Sequence, residues 1–105
     1  MAVVAQRVNE KGIITMENRE FIIGGKLYST EDSVLLCQSV DVLETSEQLF
    51  RTSKGNFFKI VKTNLTGKVK VDVLDEDAAF RFMDENTNDI IKENYIKVFG
   101  DVEKG

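Results

Sequence analysis

The chain has no histidine, no proline, no tryptophan and a single cysteine. Without histidine it lacks the usual general base near neutral pH, the commonest zinc ligand and the imidazole partner of a serine or cysteine nucleophile. Most familiar hydrolase schemes are thereby excluded, and the expectation is a protein that is not an enzyme and holds no cofactor. One cysteine, Cys37, allows no intramolecular disulfide and no cysteine cluster for zinc. Set in Val34-Leu35-Leu36-Cys37, it reads as a buried small hydrophobe rather than a reactive thiol. No apolar run approaches membrane-spanning length, and the start Met1 to Arg7 has neither the charge nor the apolar core of a secretory signal. The expectation is a cytoplasmic protein away from the membrane, in which the sequon Asn64-Leu65-Thr66 is a turn.

A further absence is local. Between Leu49 and Val71 there is no acidic residue, while Arg51, Lys54, Lys59, Lys62, Lys68 and Lys70 interleave with Phe50, Phe57 and Phe58. The flanks are the reverse, with eight acids against four bases in residues 1–48 and ten against four in residues 72–105. Such segregation gives the central stretch a field of its own, able to recruit an anionic partner or to hold the acidic flanks against it. The net charge of the whole chain is only −4.

At 105 residues, 42% hydrophobic and 30% charged, the chain suits one folded domain over residues 1–105 with a single modest core. Phe21-Ile22-Ile23, Gly24-Gly25 and Lys26-Leu27-Tyr28 spell a short β-hairpin, its two glycines supplying the positive φ that a two-residue turn demands. Ser29-Thr30-Glu31-Asp32 offers hydroxyl caps and first-turn acids ahead of Val34-Leu35-Leu36, which predicts a short helix; Val40 and Val42 then alternate with polar residues like a following strand. Gln48 to Thr52 and Asn56 to Val61 flank Ser53-Lys54-Gly55 as a second hairpin, and Val69, Val71 and Val73 alternate with Lys68, Lys70 and Asp72 in a third strand. The valines are expected to face a core and the lysines water. Asp75 caps a helix carrying Ala78, Ala79, Phe82 and Met83 on one face, and after Asn86-Thr87-Asn88 a second helix carries Ile91, Tyr95, Val98 and Phe99 until Gly100 ends it. Val69, Val71, Val73, Phe82, Tyr95 and Phe99 are assigned to one core. Residues 1–18 are the least legible: Val3-Val4 and Ile13-Ile14 read as edge strands or as part of a self-association surface. The predicted fold is α+β, a small antiparallel β-sheet formed by a hairpin plus a three-stranded meander, packed by two C-terminal helices.

Two chemical readings of the charged residues compete with plain structural ones. The basic aromatic hairpin could neutralise phosphates while phenylalanines stack on bases, but core phenylalanines with solvated lysines explain it better; Lys54-Gly55-Asn56-Phe57-Phe58 matches an RNA-recognition strand at too few positions. Asp84, Asn86 and Asn88 begin like a calcium loop, yet its sixth position is Asp89 instead of glycine and its twelfth is Tyr95 instead of a carboxylate. Helix caps and solvated faces account for these acids, and no metal is expected. An acidic C-terminal surface imitating phosphates is a further, weaker reading of an interaction protein.

The residues Gly25-Lys26-Leu27-Tyr28-Ser29-Thr30-Glu31, Leu49-Phe50-Arg51-Thr52-Ser53-Lys54-Gly55-Asn56-Phe57-Phe58, Ala78-Ala79-Phe80-Arg81-Phe82, and Tyr95 with Phe99-Gly100-Asp101-Val102-Glu103 form a pattern. In order and spacing it resembles a family of small uncharacterised proteins of Gram-positive mobile elements: plasmids, prophages and integrative elements. The match spans roughly residues 24–105; the first 20 or so residues depart from it, and the Asn64–Gly67 turn is shorter than the family's often longer loop. The resemblance implies an accessory protein of a mobile element, a class that includes inhibitors of host defence such as anti-CRISPR proteins, which act by occluding a surface. It carries over no binding residue.

The expectation from sequence is thus a non-catalytic protein-binding module, with a host defence complex among its partners and Arg51, Lys54, Lys59, Lys62, Lys68 and Lys70 as binding residues. A homodimer is compatible with it. The alternative is a nucleic-acid-binding accessory protein that uses the basic hairpin 49–71.

Overall fold

A computed structural model describes residues 7–8, 14–15, 19–41, 45–103 and 105. Its centre is a four-stranded antiparallel sheet of consecutive strands: β5 (Ser33–Val40), β6 (Thr45–Thr52), β7 (Phe57–Thr63) and β8 (Lys68–Leu74). β6 and β7 are joined by the turn that holds Gly55 at φ 87°, a left-handed backbone that suits glycine. Thr52 secures the turn three times, its N–H donating to Asn56 O at 2.8 Å, its carbonyl accepting from Gly55 N–H at 2.9 Å and its Oγ1 accepting from Asn56 N–H at 3.1 Å.

A β-strand alternates its side chains, so each face of this sheet buries a cluster of its own. Adjacent residues Leu49 and Phe50 on β6, and Phe57 and Phe58 on β7, point to opposite faces and are all buried. On one face Leu49 and Phe57 join Leu36, Cys37, Ala79, Phe82 and Met83. On the other, Phe50, Phe58 and Ile60 join Tyr28, with Phe21, Ile23, Val69 and Val71 packed around them. A sheet covered on both sides reads in sequence as paired apolar residues instead of strict alternation.

The second cluster is covered by the hairpin β3 (Glu20–Ile23) and β4 (Lys26–Ser29), where Gly24 and Gly25 take φ of 58° and 78°, as a two-residue turn requires. Phe21 and Tyr28 face inward from it, and Tyr28 meets Phe58 edge-on at 5.5 Å between ring centres. The first cluster is covered by α1 (Glu76–Glu85) and α2 (Lys92–Phe99), with one 3-10 turn at Thr87–Asp89 between them. Asp75 caps α1 through Oδ1, which accepts from Ala78 N–H at 2.7 Å, and Gly100 closes α2 with its N–H on Ile96 O. The α+β architecture expected from the sequence is the one observed.

Three expectations change. Residues 33–40 form a strand where Ser29 to Asp32 had suggested a helix start. The Thr30 hydroxyl is used elsewhere, accepting from Arg19 N–H at 2.9 Å while Thr30 N–H donates to Arg19 O at 3.0 Å, and Ser33 Oγ donates back to Ser29 O at 2.6 Å. The chain is thereby turned into a strand that pairs with β6, and a bulge between Leu35 and Cys37 sends Leu36 into the helix-side cluster. The six residues assigned to one core divide between the two faces: Val69 and Val71 pack with Phe58, whereas Phe82, Tyr95 and Phe99 pack with Phe57. Val73, at the edge of the sheet, is 44% exposed.

Near the N-terminus β1 (Arg7–Val8) and β2 (Ile14–Thr15) pair antiparallel, Arg7 opposite Thr15. Val3, Val4, Ile13 and Val42 lie outside the described residues. Among the described residues no helix is long and apolar enough to cross a membrane.

Candidate binding surface

Strand register disperses the six bases singled out in the sequence. Arg51, Lys59, Lys68 and Lys70 occupy positions in line with Phe57 on the helix-side face, Lys62 belongs to the opposite face with Val69, and Lys54 stands exposed at the β6–β7 turn. Along β7 the rows holding Arg51 and Lys68 are six residues apart, about 20 Å at the rise of an antiparallel strand.

Two of the bases are engaged. Lys59 Nζ lies 4.9 Å from the centre of the Phe82 ring and 3.5 Å from Glu47 Oε1, its side chain only 20% exposed. Lys70 Nζ is 3.8 Å from Asp72 Oδ1, both on the helix-side face of β8, and Asp72 is directly opposite Lys59 across the strand pair. Glu47 and Asp72 therefore break the positive field on the very face that carries most of the bases. Arg51 lies over the β6–β7 turn, where a side-chain carbon added at Gly55 would stand 3.3 Å from its Nη2.

A different constellation forms where the β3–β4 hairpin meets the β6–β7 turn. A cleft of about 590 Å³ opens there, lined by Lys26, Lys54, Ser53, Asn56, Asp32 and Tyr28 among others. Of the bases chosen from sequence only Lys54 reaches it. Lys26 comes from the other wall, and the sequence signal for it was its place just after the Gly24-Gly25 turn, which puts it at a hairpin tip. Beside the cleft, on the outer side of the hairpin, Ile22 and Leu27 sit directly opposite one another. They are 79% and 59% exposed, an apolar cross-strand pair turned to solvent while Phe21 and Tyr28 fill the inner side. A second, smaller groove of about 310 Å³ runs between α1, α2 and Val102, walled by Phe80, Met83, Ile90 and Tyr95.

Cys37 is fully buried, with Sγ 3.8 Å from Asn86 O. Burial first, then the negative charges of Asp89 and Glu47, push its thiol up to about 11, so it stays protonated and unreactive in the folded protein. Among the described residues no three His, Cys, Asp or Glu side chains are grouped as they would be around a metal ion. In the interrupted calcium-like segment, Asn86 donates from Nδ2 to Phe82 O at 2.9 Å and so finishes the helix. What this surface offers chemically is complementarity: an apolar pair, two cations and a set of hydroxyls. No protein-family model, no curated protein and no solved structure matches the chain.

Proposed function

We propose that this domain is a non-catalytic protein-binding module whose contact surface is the outer side of the β3–β4 hairpin together with the adjoining cleft. The observation that carries the reading is the exposed Ile22–Leu27 pair beside Lys26 and Lys54. Two large aliphatic side chains facing each other in solvent leave no polar group to desolvate on docking and gain burial, worth about 1.5–3 kcal/mol for each side chain fully covered, less the rotamer freedom they give up. Flanking lysines select a partner surface that is acidic at its rim, since charge complementarity at an interface sets specificity and encounter rate. The resemblance to mobile-element proteins supports a host protein as that partner, a defence nuclease complex being the kind such proteins occlude.

The nucleic-acid alternative would need the bases of 49–71 to follow a phosphate track, and the interleaved Glu47 and Asp72, with Lys62 on the other face, weigh against it. Fluorescence anisotropy with single-stranded DNA and RNA at low and physiological salt separates the two. The protein-binding reading expects no micromolar binding at physiological salt, because phosphate contacts fall steeply as salt rises. Micromolar binding that persists there and is lost in the double variant Lys68→Glu, Lys70→Glu would replace it with the nucleic-acid reading.

A further inference from the structure

The two edges of the four-stranded sheet are treated differently. The β5 edge is closed by the segment leading into α2: Cys37 bridges to Ile90, Ile91 N–H donates to Leu36 O at 2.8 Å, and Asn94 Nδ2 donates to Leu35 O at 2.8 Å. A bulge between Leu35 and Cys37 disrupts the same edge further. At the other side β8 presents seven residues, and no described strand pairs with its outer side. A strand edge of this length with no described strand beside it is a template for another strand.

We propose that β8 pairs antiparallel with β8 of a second copy of this chain about a two-fold axis at Val71, joining two sheets into one of eight strands. The central residues Val69-Lys70-Val71-Asp72-Val73 are self-complementary in that register, with Lys68 opposite Leu74 at each end. Val71 meets its own copy, Val69 meets Val73, and Lys70 meets Asp72 of the second copy, twice by symmetry. A foreign strand would have to match this charge order, whereas a second copy matches it without any change. The exposures fit: Lys70 and Asp72 have side chains 75% and 37% exposed, and Val73 is 44% exposed on the other side of the pleat, so a facing strand finds both rows accessible. Lysines on an edge commonly deter pairing. Here the alternation with Asp72 restricts pairing to one register and one partner, which is a specificity device and not a block. The argument uses no residue of the exposed Ile22–Leu27 pair or of the cleft beside it, so the inference stands independently of the partner-binding reading.

Charge exchange tests it, with sedimentation equilibrium and native mass spectrometry as the readout across a concentration series. The wild type is expected to be a dimer at the upper concentrations. Lys70→Asp alone sets two acids face to face and Asp72→Lys alone sets two lysines face to face, so each single variant is expected to be monomeric, with circular dichroism reporting an unchanged fold at exposed position 70 and half-buried position 72. An equimolar mixture of the two single variants is expected to form a one-to-one heterodimer, and the double variant Lys70→Asp, Asp72→Lys to recover the homodimer. Hydrogen exchange in the 68–74 segment should slow in every dimeric sample relative to the monomeric ones. A wild type that is monomeric at every concentration overturns the inference. So does a dimer indifferent to both single substitutions, and so does a failure of both the mixture and the double variant to restore association.

Discussion

The ammonium group of Lys59 lies 4.9 Å from the centre of the Phe82 ring, across the interface between β7 and α1. A base that the sequence offered for phosphate contact is thus part of the packing between helix and sheet, its stem lying along the apolar surface and its head shared between the ring and Glu47. A half-buried cation over an aromatic face contributes about 0.5–2 kcal/mol. Lys59→Met, which keeps the stem and removes the charge, should therefore lower the denaturation free energy by roughly 1 kcal/mol and leave partner capture intact. An unchanged denaturation midpoint together with lost capture would make Lys59 a contact residue instead.

The division of the core across the sheet sets a second expectation. Phe58 and Phe82 anchor separate clusters on opposite faces, and truncation of either to alanine should cost about 3–5 kcal/mol. Val73→Thr, which preserves the branched shape at a position 44% exposed, should stay within about 0.5 kcal/mol of the wild type. Urea titrations of the three variants check this; a large loss at Val73 would mean that the edge strand is more deeply covered than described.

Cys37 gives a pH prediction with a definite sign. Its folded pKa is raised, from 9.0 to about 11, so folding favours the neutral thiol. The stability this provides is complete below about pH 9 and is lost as pH climbs through about 11. Cys37→Ala should consequently flatten the alkaline limb: the stability difference between wild type and variant should shrink from pH 9 to pH 11. A thiol reagent at pH 8 should react slowly with the native protein and fast in denaturant, and a rapid native reaction would contradict the burial.

Two hydroxyl and carboxylate positions resemble each other in sequence and differ in use. Asp75→Ala removes the cap of α1 and should cost about 1 kcal/mol. Thr30→Val removes the buried hydroxyl that accepts from Arg19 N–H, a lost hydrogen bond that costs about 0.5–1.5 kcal/mol. Thermal melts measure both. Helical content, followed in the far ultraviolet, should fall for Asp75→Ala and stay constant for Thr30→Val.

That contrast shows where sequence reasoning held. Asp75 and Gly100 act within one turn of helix, and Gly24-Gly25 and Gly55 act within one hairpin, so their signals are local and were legible. Residues 33–40 were not, because a short apolar run such as Val34 to Cys37 suits helix or strand, and the choice is made by pairing with residues 45–52. The charge segregation of 49–71 was visible, but its dispersal over two faces depends on register. The place of Lys26 across from Lys54 is not legible locally, because the cleft whose two walls they line exists only once the hairpin is folded onto the sheet.

Affinity capture from nuclease-treated host lysate, comparing the wild type with the double variant Lys26→Glu, Leu27→Asp, tests the central claim most directly. Both positions are exposed in β4, so the variant is expected to fold. The account predicts that a specific protein is retained by the wild type despite the nuclease and lost in the variant, while Lys68→Glu, on the helix-side face of the sheet away from the hairpin, retains it. Capture that vanishes on nuclease treatment, or that the hairpin variant leaves unchanged, would contradict it.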